Sequence, residues 1–489
     1  MRALSFGWAL YDLLPAGDHR RASEEVTREL IARLHRDPLV RASEDRWVHP
    51  FATPNDPGMS YLWHYESIGT RAGWDVTTGL STQRVGVVDT GTVVTHQDLA
   101  AKVVDGYDFI YETDFSVDGD GRDDDFTDPG DGGNCGYGYM DHSWHGSHVA
   151  GTIVASTNNG VGIAGLSWGA KLVTGRALGR CGGTTVDIFE AMAWMSGYAI
   201  EGVPNLAAAN VVDVVNLSLG ADEACSDVEA DYIGTILAQT DVVIVAAAGN
   251  SGNGVPVSSP ANCPGVLSVG AFGPGANRPL ANYSNFSADL DIVAPGGDDN
   301  EGVLSACGGS NDCYQYQAGT SMAAPHIAGA VSLLRAVNPT LSQDDIRTVL
   351  RSTGATCTGC GNIPALQLDA AVREAALMAG GTGVPAAAPE PVPSPTPEPA
   401  TEPDEEPGPA PEPSPVDGSV GACDPRRGNW DCANGEGCVE NAAGVAECRA
   451  GAEGESKSGG LCDLDDDCAS GLCDRGVCTV PCDAGCRDG

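Results

Sequence analysis

The chain has 489 residues, with 67 acidic against 26 basic side chains and a formal net charge of −41, and Lys102, Lys171 and Lys457 are its only lysines. That balance argues against binding to nucleic acid or to an anionic membrane surface, and no run of eighteen apolar residues offers a membrane span. The length is too great for one core, so more than one domain is expected.

Met1 to Gly17 make a poor signal peptide: Arg2 is one positive charge, Asp12 interrupts a short apolar stretch, and no small-residue cleavage site follows. Either the true start lies upstream or export uses another route. Ser23 to Leu34 has helical periodicity, and Pro38-Leu39-Val40 begins a short strand. The segment Arg84-Val85-Gly86-Val87-Val88 is continuously apolar and β-branched, as expected of a parallel strand buried on both faces. Asp89 ends it, at the carboxyl end of a strand, where open α/β sheets build their sites.

Downstream, Asp114, Asp118, Asp120, Asp123, Asp124, Asp125, Asp128 and Asp131 crowd one glycine-containing stretch. So many carboxylates repel one another unless a cation sits among them, and calcium, a hard ion taking oxygens, fits better than zinc. Asp118, Asp120 and Asp128 are the favoured ligands, although the spacing is not that of an EF-hand and an acidic solvated loop is the plain alternative. His145-Gly-Ser-His148 then leads into small apolar residues that suit a buried helix.

Asp241 to Ala248 reads as a central strand, and the Gly-Asn-Ser-Gly run after it places Asn250 at its end. Ser321, in Gly-Thr-Ser-Met-Ala-Ala-Pro at 319–325, opens a second small-residue helix. A serine there can be a simple cap, but the same position offers free N–H groups and a positive dipole end to a developing oxyanion.

Val384 to Asp417 is Pro-rich and acidic with neither Lys nor Arg, which reads as an extended, semi-rigid spacer. Ten cysteines follow between Cys423 and Cys486, in a stretch poor in large apolar side chains and without histidine, so disulfide staples are preferred to zinc. The domain division is therefore 1–50, 51–380, a linker at 381–420 and a cysteine-rich module at 421–489.

With Asp89, His145 and Ser321 in that order and those local runs, the chain resembles the subtilisin-like serine peptidases over roughly residues 53–375. The resemblance implies a three-layer α/β sandwich around a mostly parallel sheet. It implies that Ser321 attacks, His145 moves the proton, Asp89 holds the imidazole, and the Asn250 amide joins the Ser321 N–H in an oxyanion hole. It makes Ser218, Leu219 and Gly220 a substrate-binding segment and gives His148 and His326 structural roles. It adds a calcium site at Asp98 and Asn159, and it reads 1–50 as a partial propeptide or an N-terminal extension, with self-cleavage between about Trp47 and Thr53. By similarity to secreted bacterial members, the eight cysteines of the peptidase portion pair sequentially, although Cys357 and Cys360 could also form a redox pair. The expectation is a secreted, monomeric, calcium-stabilised endopeptidase made as a zymogen and acting on proteins or peptides. Two alternatives are a catalytically silent adhesive ectodomain and an esterase using the same three residues.

Overall fold

The computed structural model describes residues 53–379 except Tyr137, plus the backbone of a few short strands outside that range. The chain divides into two compact units, Met1–Ser394 and Pro395–Gly489. In the second, Glu436–Glu440 pairs antiparallel with Ala446–Ala450, and Cys473–Asp474 with Val477–Cys478. The expectations for the N-terminal extension, the linker and the cysteine-rich module lie outside the described residues.

Seven strands form the central sheet: β1 (Arg84–Asp89), β2 (Val103–Asp108), β3 (Lys171–Arg176), β4 (Val214–Leu217), β5 (Val243–Ala247), β6 (Leu267–Phe272) and β7 (Ile292–Pro295). Their spatial order is β7-β6-β5-β4-β1-β3-β2, and every neighbouring pair is parallel. Parallel strands need crossovers, and the crossovers cover the sheet, so both faces are apolar: β5 and β6 are buried at every position. The chain starts at the middle with β1, fills one side with β2 and β3, then returns past β1 to lay down β4 to β7. The reversal opens a crevice at the carboxyl ends of β1 and β4.

Six helices concern the argument: α1 (His145–Val154), α2 (Thr185–Met195), α3 (Asp227–Gln239), α4 (Thr320–Val337), α5 (Gln343–Thr353) and α6 (Leu368–Met378). α1 and α4 pack against each other and the sheet, α4 reaching β4, β5, β6 and β7, while α2 lies on β1 and β3. That second contact is close because the strands offer glycine there. A Cβ on Gly86 would lie 2.7 Å from the Met195 sulfur, and one on Gly175 would lie 2.9 Å from its terminal methyl. Helix starts follow local chemistry: Thr184 accepts from Asp187 N at α2, and Ser226 with Glu229 and Ser342 with Asp345 form reciprocal capping boxes at α3 and α5.

Four disulfides close the unit, Cys135–Cys181, Cys225–Cys263, Cys307–Cys313 and Cys357–Cys360. This is the sequential pairing, with Cys357 joined to Cys360.

Candidate active site

Asp89 closes β1 at the crevice and is fully buried. Its carboxylate accepts from Thr90 N at 2.8 Å, and both of its oxygens face His145 Nδ1, at 2.8 and 2.9 Å. His145 is the first residue of α1, after Trp144 in the left-handed region at φ 53°. The approach to the helix is fastened by Asp131: Ser143 N and Oγ donate to its two oxygens, both at 2.6 Å, and Ser143 Oγ accepts from His145 N at 3.2 Å. A second tie runs from Gly146 N to Thr90 Oγ1 at 2.9 Å, and that hydroxyl donates to buried Asp128 at 2.7 Å. Burial of the His145 ring opposes its charged form, but Asp89, then Asp131 and Asp128, outweigh it and raise the pKa above its ordinary value.

Ser321 is the second residue of α4, whose N-cap is Gly319. The simple cap is thereby set aside, because the Ser321 side chain does not close the helix. Its Oγ donates to Ser218 O at 3.1 Å, while Ser218 Oγ donates back to Ser321 O at 2.7 Å. The second bond has a sequence cause. Pro325 lies four residues after Ser321 and has no N–H, so the Ser321 carbonyl lacks its helical partner and takes the serine hydroxyl. Among the described residues, no hydrogen bond joins Ser321 Oγ to His145 Nε2, so the Asp89–His145 half of the constellation is formed and the nucleophile's hydroxyl is turned aside.

Asn250 follows β5 by way of Gly249 at φ 106°, a conformation that favours glycine. Its Oδ1 accepts from both Thr320 N and Thr320 Oγ1 at 2.9 Å, which fixes the amide and, among the described residues, leaves Nδ2 without a hydrogen bond. The N–H of Ser321 is likewise an orphan of the helix start. The two donors lie close together: a Cβ added to Gly319 would lie 3.5 Å from Asn250 Nδ2 and 3.7 Å from Ser321 N. Ser218, Leu219 and Gly220 continue from the end of β4 beside them, with Gly220 exposed. The arrangement can hold a carbonyl oxygen between two donors while a hydroxyl attacks its carbon.

His148 and His326 are buried away from this chemistry. His148 Nε2 donates to the Val303 and Gln315 carbonyls, and His326 Nδ1 to that of Met322. Burial holds their pKa values down, to about 3 and about 4. His96 Nε2 pairs with the Cys313 carbonyl, and His142 Nδ1 accepts from Gly132 N.

In the acidic stretch the side chains of Asp118 and Asp120 interact with each other, while Asp128 is engaged elsewhere. Asp118 is paired with the buried guanidinium of Arg176, which also holds Asp108. Asp128 is committed to Thr90 Oγ1 and Gly130 N, and Asp120 is exposed. Among the described residues, the one grouping of three His, Cys, Asp or Glu ligand atoms within 4.8 Å is Cys225, Glu229 and Cys263, two of them in a disulfide. The other expected site is assembled differently. Asp98 is fully buried with no ion pair among the described residues, and its carboxylate accepts from Asn159 Nδ2 at 2.9 Å, Ile163 N at 2.9 Å and Tyr314 Oη at 2.7 Å. The Asn159 amide is held from both ends, its Oδ1 accepting from Val161 N at 3.0 Å while its Nδ2 faces the carboxylate, so oxygen donors of the kind a hard cation takes stand close together here.

Sequence reasoning missed Thr320, which orients Asn250, and the Asp131–Ser143 clasp under His145. Thr320 stood inside a motif already singled out, whereas nothing local marked Ser143.

Residues 81–376 match the family described as the subtilase family, peptidase S8. The chain is 40% identical over 362 residues to the "Extracellular protease" of Xanthomonas campestris pv. campestris, covering 70% of this chain and 60% of that one. It is 40% identical over 339 residues to the "Extracellular basic protease" of Dichelobacter nodosus, covering 64% and 54%. The chain thus spans just over half the length of these curated relatives. A solved structure titled as a protease from Pseudoalteromonas arctica has a TM-score of 0.61 at 41% identity, covering 66% of this chain and all of that one.

Proposed function

The chain belongs to the subtilase family, and from that membership we propose that it is a secreted serine endopeptidase acting on proteins and peptides as a monomer. One observation carries the reading: the Asp89–His145 pair lies at the crevice where Ser321 N and Nδ2 of Asn250 stand close together.

In the reaction, Ser321 Oγ leaves the Ser218 carbonyl by rotation about its Cα–Cβ bond and gives its proton to His145 Nε2 as it attacks the acyl carbon. Asp89 keeps Nδ1 protonated and stabilises the imidazolium. The carbonyl oxygen becomes an anion between Ser321 N–H and the Asn250 amide, which costs little reorganisation because Thr320 already holds that amide. The imidazolium then protonates the leaving amine, and water repeats the sequence on the acyl-enzyme. A serine-directed phosphonate should label Ser321, and Ser321→Ala should remove both labelling and casein cleavage. Full casein cleavage by the alanine variant sinks the reading.

The proposal extends to calcium held by Asp98 and Asn159. The cation would neutralise a buried carboxylate and tie the 158–163 loop to the core, a structural role. The domain division at 1–50, 51–380, 381–420 and 421–489, with cleavage of the first segment between about Trp47 and Thr53, is proposed on composition and family likeness alone.

A further inference from the structure

Two segments run side by side away from the nucleophile. One leaves β4 as Ser218-Leu219-Gly220-Ala221-Asp222, and its first residue is bonded to Ser321 through both Oγ and O. The other leaves β5 as Ala248-Gly249-Asn250-Ser251. A third stretch closes their far end. Ser258 N donates to Ala248 O at 2.9 Å, and Ser259 and Ala221 exchange hydrogen bonds of 2.9 and 3.1 Å. A Cβ on Gly220 would lie 2.7 Å from Ser259 O, so strand and floor meet with no side chain between them. An acyl group whose oxygen sits on Asn250 and whose carbon faces Ser321 must send its side chain between these segments.

Asp222 stands where they end. Its Oδ1 accepts from Ser258 Oγ at 2.7 Å and its Oδ2 from Ser251 Oγ, so one carboxylate spans floor and wall. The group is exposed, and among the described residues no cationic side chain pairs with it. The two oxygens together have four acceptor sites, engaged by two serines and by the Asn285 side chain, and so keep capacity for a ligand. Those hydroxyl bonds hold the carboxyl below the usual range, hence ionised through the neutral pH region.

Resting on the peptidase reading, we propose that Asp222 sets substrate choice by pairing with a Lys or Arg side chain on the residue that donates the scissile carbonyl. The two serine hydroxyls fix the carboxylate, so a cation entering the cleft meets a preset acceptor. A carboxylate-bearing side chain meets repulsion, and an apolar one gains nothing from the charge.

The test uses the full chain and peptides that differ only in the residue before the scissile bond, Lys, Arg, Leu or Glu. Wild type should have its highest kcat/KM on Lys and Arg and its lowest on Glu. Asp222→Asn keeps the shape and removes the charge, and it should lower the Lys-to-Leu ratio of kcat/KM about tenfold, as expected for one charge-assisted contact. Asp222→Lys should raise the Glu-to-Leu ratio above wild type. A purely structural carboxylate, bracing Ser251 beside Asn250, would depress all substrates together and leave the ratios fixed, which overturns the proposal. So would a wild type that prefers Leu to Lys. Failure of the wild type both to cleave any peptide and to accept a phosphonate overturns the peptidase reading itself, and this proposal with it.

Discussion

At the scale of single residues, the site is a set of side chains each held by a second one. In the proposed reaction His145 is the general base, so its pKa sets the acid limb of the rate profile. The ring's burial favours the neutral form, yet Asp89, Asp131 and Asp128 together raise the pKa. The base is usable only when neutral, so kcat/KM should fall with an apparent pKa above the ordinary histidine value of about 6.5. Removing one negative charge moves the limb toward acid: Asp131→Asn should shift it to lower pH while keeping an acceptor for Ser143. A pH–rate profile of both proteins checks this, and an unmoved or alkaline-shifted limb contradicts it. Asp89, His145, Asn250 and Ser321 could all be picked out from the chain because each sits in a short run whose local chemistry is self-contained. Their supports could not. Ser218 lies 103 residues from Ser321, and Thr320 lies 70 from Asn250. Hydroxyls that far apart carry no mark of their pairing until the sheet and helices have formed.

At the scale of elements, β1, α1, β5 and α4 were legible because apolar continuity and small-residue packing leave a local trace, and the observed ends differ by only a few residues from the expected ones. The stretch at 114–131 has partners of its own within the fold. Mutual repulsion of its carboxylates suggested an external cation, but the fold supplies Arg176 from the end of β3 for Asp118 and Asp108, and the Thr90 hydroxyl for Asp128. The same region is pinned by Cys135–Cys181, which closes a loop of 46 residues that contains Ser143 and His145. By the chain-entropy estimate such a closure stabilises by about 4 kcal/mol. The double variant Cys135→Ser with Cys181→Ser should therefore lose about that much in guanidinium unfolding. A loss as small as that expected for the three-residue Cys357–Cys360 closure would show that loop length is not what matters here.

At the scale of the whole molecule, His64, His148 and His326 come from three distant parts of the chain and are all held neutral by burial, their pKa values lowered. The unfolded chain protonates each below about 6.5 and the folded one does not, so their contribution is complete above that pH and is lost as pH falls toward 4 and below. His148→Asn should cost stability at pH 7, and the gap from wild type should close by up to about 1.4 kcal/mol per pH unit between pH 6 and 4. Urea midpoints at several pH values measure it, and parallel curves would exclude it. Calcium at Asp98 and Asn159 would act at the same scale. Chelation should lower Tm and speed autolysis, with calcium restoring both and magnesium little, whereas an unchanged melting curve on metal-free protein argues against the site. The order in which the sheet is laid down has its own consequence. The strand that carries Asp89 is the first of the seven, but Ser321 enters only with α4, after all seven strands have been made. In the proposed reaction, a chain still being synthesised therefore carries the base without the nucleophile. Such a chain would be chemically inert for most of its growth, and its own peptide bonds would be safe from it until α4 docks.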